Sequence, residues 1–258
     1  MRKEHQIIID PSKCNRCGMC RDDCPDKVLI VTDKSAEHTG QYCVKCGHCV
    51  AICPQGAVII SGYDDEPEAI TGGGKVDPDA LLRLVKSRRS MRQFTGKDIP
   101  PQVVSQIIEA GRYTPTGGNR QDVSYIVIRE KKDEYEEKAI EFLRRAQPEL
   151  AVTNPYMKNL VIDDNFLFKG APVAIVIKSA GMLSGALAAS TMELMAQSLG
   201  VGVLYSGLFT LAAKQSDELK QMLPVGQGEE VVTTLVIGDP AVEYQRTAQR
   251  EAAVVDYR

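Results

Sequence analysis

The chain has 258 residues, of which 43% are hydrophobic and 25% are charged, and its formal net charge is −3. These are ordinary values for a globular protein, and they exclude wholesale disorder and a collagen-like repeat. The small negative charge, without a basic arm, argues against a nucleic-acid-binding or membrane-surface protein.

Cysteine and histidine are confined to the first part of the chain. All eight Cys lie between Cys14 and Cys53, and the three His residues are His5, His38 and His48. A Cys nucleophile, a His general base and a His/Cys metal site are therefore excluded from residue 54 onward. We expect chemistry in that part to depend on other polar side chains or on a bound cofactor.

Two apolar features bear on location. The three Ile residues before Asp10 are too few for the apolar region of a signal peptide, so we expect no secretory signal and a cytoplasmic protein. The longest uncharged run, residues 194–213, contains three Gly and a turn signal. It predicts a buried helix followed by a buried strand rather than a membrane span.

Without secretion, metal binding by the Cys residues is favoured over disulfides.

An internal repeat organises residues 1–62. The segment Cys14-Asn-Arg-Cys17-Gly-Met-Cys20-Arg-Asp-Asp-Cys24-Pro25 recurs 29 positions later as Cys43-Val-Lys-Cys46-Gly-His-Cys49-Val-Ala-Ile-Cys53-Pro54. An apolar run follows each copy. The repeat predicts a small module with pseudo-two-fold symmetry.

The spacing C-x-x-C-x-x-C-x-x-x-C-P is typical of proteins that bind two [4Fe–4S] clusters, in which the fourth Cys ligates the other cluster. It predicts two crossed ligand sets: Cys14, Cys17, Cys20 and Cys53 for one cluster, and Cys43, Cys46, Cys49 and Cys24 for the second. A zinc site would have no use for the third close Cys. The module resembles bacterial two-cluster ferredoxins, which implies one-electron transfer, and His48 is expected to be an exposed spacer.

Residues 63–76 have the composition of a linker, first acidic and then Gly-rich. The stretch Gly72-Gly73-Gly74-Lys75 lacks the Ser or Thr and the Gly spacing of a phosphate-binding loop. A second domain is predicted over residues 77–258.

Apolar strand-like runs and helical stretches in this second domain predict a domain of mixed α and β structure. Asp77 as N-cap with Pro78 at the first position begins one helix, and another follows Pro100-Pro101. Strands are predicted at 123–128, 172–177, 201–205 and 231–237, and further helices at about 133–146, 184–199 and 215–223. Residues 147–170 are expected to be irregular.

The first of three polar patterns in this domain is Arg88-Arg89-Ser90-Met91-Arg92-Gln93-Phe94. Its three Arg and one Ser offer hydrogen-bond donors for a phosphate. Basic residues at a helix end can also simply satisfy the helix dipole, so this pattern alone leaves both interpretations open.

The second pattern is Pro115-Thr116-Gly117-Gly118-Asn119-Arg120-Gln121. Its Gly residues expose backbone amides, and Asn119 and Gln121 suit the edge of a heteroaromatic ring, although an ordinary turn would have the same composition. The third pattern is a helix rich in small residues that ends in Gly200-Val201-Gly202 and precedes Tyr205-Ser206-Gly207-Leu208. Its single charged residue, Glu193, is expected to be solvated or paired at an interface.

In this order and spacing, the three patterns resemble the nitroreductase family of FMN-dependent oxidoreductases over residues 79–258. The resemblance implies an α+β sandwich and an intertwined homodimer with FMN at the interface. Two departures are that Asp122-Val123 replaces the family's Pro-Trp and that Asp239 replaces the Tyr of its Gly-Tyr-Pro.

The resemblance also implies residue roles. Arg88 and Ser90 would contact the phosphate and ribityl chain of FMN, and Arg92 would lie beside N1 and O2 of the ring, where positive charge favours the reduced flavin. Arg89 is adjacent to these residues, and the resemblance does not settle whether its side chain contacts FMN or points to solvent. The remaining matches are Pro115, Thr116, Gly117, Asn119 and Gln121 at the ring edge and partner subunit, Ser206, Gly207 and Leu208 near N5, and Arg246 or Arg250 over the phosphate. No catalytic side chain is implied, because the chemistry is the flavin's.

The resulting hypothesis is an FMN oxidoreductase joined to a ferredoxin module. Electrons would pass between reduced ferredoxin or NAD(P)H and a nitroaromatic, a quinone or an activated double bond. A reductive dehalogenase-like member of the same superfamily and an electron carrier or sensor without its own substrate are the alternatives. Exposed [4Fe–4S] clusters suit an anaerobe and disfavour an oxygenase.

Overall fold

The computed structural model describes residues 4–70 and 74–258 and divides into two compact units. Unit 1 is the chain up to Lys75 together with Gly117–Arg120, and unit 2 is Val76–Thr116 with Gln121–Arg258. Of the predicted ferredoxin module and linker, residues 1–3 and 71–73 lie outside the described residues, and so does most of the Gly-rich stretch.

Unit 1 repeats its secondary structure at the period of the Cys motif. Strands β1 (Ile7–Ile9) and β3 (Ala36–His38), helices α1 (Met19–Asp22) and α2 (His48–Ala51), and strands β2 (Leu29–Val31) and β4 (Val58–Ile60) are each 29 residues apart. β1 pairs antiparallel with β4, and β2 with β3. The two short helices follow Gly18 and Gly47, whose φ values of 81° and 78° favour glycine. The two copies of the motif therefore fold alike.

Unit 2 is built on a four-stranded antiparallel sheet in the order β5-β6-β8-β7. Its strands are β5 (Val123–Ile128), β6 (Val173–Ser179), β7 (Gly202–Tyr205) and β8 (Glu230–Gly238). Its helices are α3 (Pro78–Ser87), α4 (Pro101–Arg112), α5 (Lys132–Thr153), α6 (Pro155–Lys158), α7 (Met182–Ser198), α8 (Gly207–Gln215) and α9 (Asp217–Met222).

Helices cover both faces of this sheet. Along β6, Ala174 and Val176 pack into one apolar cluster, whereas Ile175 and Ile177 pack into the other. This alternation follows from the period of two in a strand. The first cluster includes residues of α5, α8 and α9, and the second includes residues of α4 and α7. The predicted α+β sandwich is confirmed.

All four predicted strands are present, and α3 and α4 begin at the predicted caps. The region expected to be irregular differs, because α5 continues through Pro148 to Thr153 and α6 follows. Leu150 in that extension packs against the apolar cluster that contains Leu143, so burial outweighs the local disfavour for Pro. The run 194–213 ends in helix α8, which the sequence did not separate from the preceding strand.

None of the described helices is long and apolar enough to cross a membrane.

Candidate functional site

The first predicted set of Cys residues lines one small cavity of unit 1. Cys14, Cys17, Cys20 and Cys53 all contribute to it. The backbone N–H of Ala36 donates to Cys14 Sγ at 3.4 Å. Likewise, the N–H of Ala57 donates to Cys53 Sγ at 3.3 Å. Hydrogen bonds of this kind stabilise thiolate charge and tune the potential of iron–sulfur clusters, so these residues fit a cluster.

The second set also brings Cys residues of both motifs together. Burial raises the pKa of the Cys49 thiol to about 11, with smaller contributions from Cys46 and Cys43. Burial is again the main cause of the raised pKa of Cys43, to which Cys24 of the first motif contributes as a charged neighbour. This proximity fits the crossed arrangement that the spacing predicts.

In the described part of the chain, no three His, Cys, Asp or Glu side chains are close enough to hold a single metal ion. In a cubane cluster each thiolate binds a different iron, so its four ligands stand farther apart than those of one ion. His48 is exposed, as expected, and its Nδ1 lies 3.0 Å from Asp23 Oδ2.

In unit 2, the segment from Ser90 to Phe94 runs beside β7 and the end of β8. The N–H of Met91 donates to Val203 O at 2.8 Å. Gly202 and Gly238 permit this close approach, because a Cβ at Gly202 would lie 2.7 Å from Met91 Cγ and one at Gly238 would lie 2.7 Å from Phe94 Cδ1. The backbone of the predicted FMN-binding segment is therefore held by close packing.

Arg88 pairs with Glu193 in the same unit. Its Nη1 donates to Glu193 Oε1 at 2.9 Å, and the Glu193 side chain is only 8% exposed. Burial, and then the Glu193 carboxylate, raise the pKa of Tyr205, whose hydroxyl hydrogen-bonds that carboxylate. Arg88 directly after α3 and Tyr205 at the end of β7 thus both contact Glu193 of α7. Glu193 is expected from the sequence to be solvated or paired at an interface. The first alternative is wrong, because the side chain is buried and pairs with Arg88, 105 positions away in sequence.

The other two Arg of the first pattern differ in environment. Arg89 Nη1 donates to Arg88 O at 2.5 Å, while its Nη2 is buried without a partner. Arg92 is exposed, and its Nη1 donates to Ser90 O at 3.3 Å. A buried unsatisfied donor and an exposed guanidinium in one short stretch fit the binding of an anionic group.

Ser206 is the N-cap of α8, so Gly207 and Leu208 form the first turn of that helix. The hydroxyl of Ser206 donates to Leu167 O at 3.0 Å. Gly207 is exposed, and a Cβ added there would meet nothing within 4 Å. The first N–H groups of a helix lack intrahelical acceptors. They therefore suit the role near the flavin that the resemblance implies.

The structure divides the second pattern. Pro115, Thr116 and Gln121 belong to unit 2, whereas Gly117 and Asn119 belong to unit 1. The N–H of Gln121 donates to Thr116 Oγ1 at 2.9 Å. In contrast, Asn119 Nδ2 donates to Lys45 O at 2.7 Å and to Val44 O at 3.3 Å. No pattern in the sequence predicted the contact of Asn119 with Val44 and Lys45.

Arg246 and Arg250 are both exposed and lie in the coil that follows β8. Their predicted contact with a phosphate stays a prediction for each.

Two family models match this chain. The model of the nitroreductase family matches residues 85–239, and that of a 4Fe-4S dicluster domain matches residues 6–54.

Individual relatives are distant. A protein of Methanothermobacter thermautotrophicus, named as an NADH dehydrogenase/NAD(P)H nitroreductase, is 24% identical over 177 residues, which are 65% of this chain and 81% of the relative. Among solved structures, an FMN-bound nitroreductase from Desulfitobacterium hafniense is 22% identical with a TM-score of 0.56, covering 68% of this chain and 98% of its own. Another, from Bacteroides fragilis, is 19% identical with a TM-score of 0.55, covering 69% and 98%. At these identities the structural likeness is one of fold.

Proposed function

The chain belongs to the nitroreductase family, and we propose that it is an FMN-dependent oxidoreductase that passes electrons from a ferredoxin-type donor to an organic acceptor through two [4Fe–4S] clusters and FMN. The observation that carries this proposal is the presence, in one chain, of a match to that family and a match to a 4Fe-4S dicluster domain. The acceptor is a nitroaromatic, a quinone or an activated double bond.

The cofactors supply the electron chemistry, since clusters transfer single electrons and FMN exchanges one or two. The protein supplies binding and charge. Arg88 and Ser90 bind the FMN phosphate and ribityl chain, and Arg92 places positive charge beside the ring. The N–H groups at the start of α8 would donate to the flavin, and the open space at Gly207 leaves that helix end accessible to it.

Electron entry through the clusters is supported by the exposure of Cys17 in the first motif. A donor protein that docks there would approach the cluster that Cys17 would help to hold. A ferredoxin-type donor delivers one electron at a time, so two deliveries supply one two-electron acceptor.

The proposed assembly is a homodimer with FMN at the interface. Leu81, Leu82 and Val85 on α3 are 46–49% exposed, and Met182 and Leu183 at the start of α7 are more exposed still. Exposed apolar side chains on two helices are typical of a protein interface, and a second copy of the chain would cover them. Size-exclusion chromatography with light scattering tests this, and a monomer at micromolar concentration would contradict it.

Anaerobic stopped-flow spectroscopy tests the electron route. Reduced ferredoxin is expected to bleach the flavin band of the native protein, and to do so much more slowly in Cys14→Ser and Cys43→Ser. Equal rates in all three would exclude the clusters as the entry. Flavin reduction by NADH or NADPH, unaffected by either substitution, would identify a nicotinamide donor instead.

The acceptor is tested in the second half of the same experiment. The reduced protein is mixed with a nitroaromatic, a quinone or an activated alkene, and flavin reoxidation is followed. Reoxidation by none of the three would contradict the proposed acceptor and favour an electron carrier.

A further inference from the structure

The side-chain amide of Asn119 holds the ligand loop of the second Cys motif. Asn119 Nδ2 donates to the carbonyl oxygens of two consecutive residues, Lys45 at 2.7 Å and Val44 at 3.3 Å. These residues lie between Cys43 and Cys46, which are predicted ligands of one cluster. All of them, Asn119 included, belong to unit 1.

One peptide group connects Asn119 to a ligand sulfur. The carbonyl of Val44 and the N–H of Lys45 belong to the same planar peptide unit. Its oxygen accepts from Asn119, while its N–H donates to Cys43 Sγ at 3.3 Å. Because the unit is rigid, holding the oxygen also sets the direction of the N–H. The N–H of Val44 is held separately, by Asp26 Oδ2 at 2.7 Å.

The first motif is held by neighbours closer in sequence. Asn15 Oδ1 accepts from the N–H of Cys17 at 3.2 Å. The guanidinium of Arg16 donates to Asp33 O at 2.8 Å. Arg16 and Lys45 occupy equivalent positions and share a positive φ, 62° and 55°. The two motifs thus share the same backbone conformation. Among these contacts, a side-chain amide from a distant part of the sequence hydrogen-bonds the second motif and not the first.

We propose that Asn119 is a positioning residue for the second cluster, acting on its reduction potential through the Val44–Lys45 peptide. This inference rests on the proposed function, because it requires that Cys43, Cys46, Cys49 and Cys24 hold a cluster. It differs from the flavin contact that the family resemblance implies for Asn119.

The expected effect has a defined sign. The cluster gains one electron on reduction and Asn119 is chemically unchanged. An N–H aimed at a ligand sulfur stabilises the added negative charge and raises the potential. Loss of the amide frees the peptide to rotate, which weakens that hydrogen bond and lowers the potential of the second cluster.

The backbone of Asn119 suggests the variants. Its φ of 50° is a conformation that Gly and Asp also adopt readily. Asn119→Gly removes the amide without backbone strain, and Asn119→Asp keeps the shape while replacing the N–H donor by an acceptor. Asn15→Ala is the control in the first motif, because it removes the side-chain oxygen that accepts the Cys17 N–H.

The experiment is an EPR-monitored redox titration of the full-length protein, with the second cluster identified by its absence in Cys43→Ser. Asn119→Gly and Asn119→Asp are expected to lower its midpoint potential, or to lose its iron, while the first cluster and FMN affinity stay unchanged. Asn15→Ala is expected to affect only the first cluster.

Three results would overturn the inference. Unchanged cluster potentials with weaker FMN binding would assign Asn119 to the flavin. Unchanged potentials and unchanged FMN binding would leave it no role at either cofactor. Loss of both clusters and FMN in both variants would contradict a role at one cluster. Iron and sulfide analysis of the native protein separates these results from failure of the proposed function, which predicts two clusters there.

Discussion

Arg88 and Glu193 form an ion pair, with 2.9 Å between Nη1 and Oε1, that joins the end of α3 to the middle of α7. The pair is unequal, because the Glu193 side chain is 8% exposed and that of Arg88 is 30% exposed. The position of Arg88, in the predicted FMN-binding segment, therefore depends on a buried carboxylate, and no local sequence pattern indicates this pairing.

Arg88→Met should destabilise unit 2, because it leaves the Glu193 carboxylate buried without its partner. Breaking a fully buried pair costs about 3–5 kcal/mol, and partial exposure of Arg88 reduces the expected loss to about 1–3 kcal/mol. Urea unfolding followed by far-UV circular dichroism measures it. Arg83→Met is the control, since Arg83 and Asp77 form an exposed pair 3.8 Å apart. Equal stability of the two variants would contradict the prediction.

Gly202→Ala should weaken FMN binding. The new Cβ would lie 2.7 Å from Met91 Cγ, and Met91 is buried beside Ser90 and Arg92. Overpacking of this kind costs about 1–3 kcal/mol, and a loss of 1.4 kcal/mol in binding is about tenfold in affinity. Quenching of flavin fluorescence measures the dissociation constant. Adding Met91→Ala should restore part of the affinity, whereas native affinity in the single variant would refute the argument.

Glu136 should make the stability of unit 2 depend on pH. It is buried, and it accepts the N–H groups of Leu167 and Phe168 at 2.9 and 2.7 Å. Burial raises the pKa of its carboxyl group above the ordinary value of 4.5, against the lowering effect of those two hydrogen bonds. Between the two pKa values the folded state binds more protons than the unfolded state, so stability falls as pH rises from 4.5 through the raised pKa.

The comparison for this effect is Glu136→Gln, which cannot titrate. The free energy of unfolding of the native protein, relative to that of the variant, is expected to decrease as the pH rises above 4.5 and through the raised pKa of Glu136. Anaerobic urea unfolding at several pH values provides the measurement. A difference that is constant with pH would show that Glu136 does not titrate as proposed.

The crossed ligand sets predict how Cys variants group. Cys53→Ser should remove the same EPR signal as Cys14→Ser, and Cys24→Ser the same signal as Cys46→Ser, because the fourth Cys of each motif ligates the other cluster. Dithionite-reduced samples with iron analysis give the answer. If Cys53→Ser instead grouped with Cys46→Ser, each motif would hold its own cluster and the crossing would be wrong.

Much of the fold could be predicted because its signals are local. Asp77 and Pro78 mark the start of α3 through a cap whose partners are two residues apart. The repeated Cys spacing predicted two equivalent folded halves, and continuous apolar runs predicted the strands, of which β6 is buried along its whole length. The extension of α5 and the separate α8 were missed, because apolar runs do not show where one buried element ends and the next begins.

The sequence by itself determined which residue types are available for chemistry: eight Cys at cluster spacing in one part, and Arg, Ser and backbone amides in the other. Spacing suffices for the three close Cys of each motif and for helix caps, because those residues lie within a few positions of one another, and the repeat of the motif indicates where the fourth Cys of each set lies. Only the tertiary structure decided what the polar side chains pair with. Glu193 meets Arg88 across 105 positions, and Asn119 meets Lys45 across 74. Such pairs depend on burial and on the path of the whole chain, which no short pattern contains.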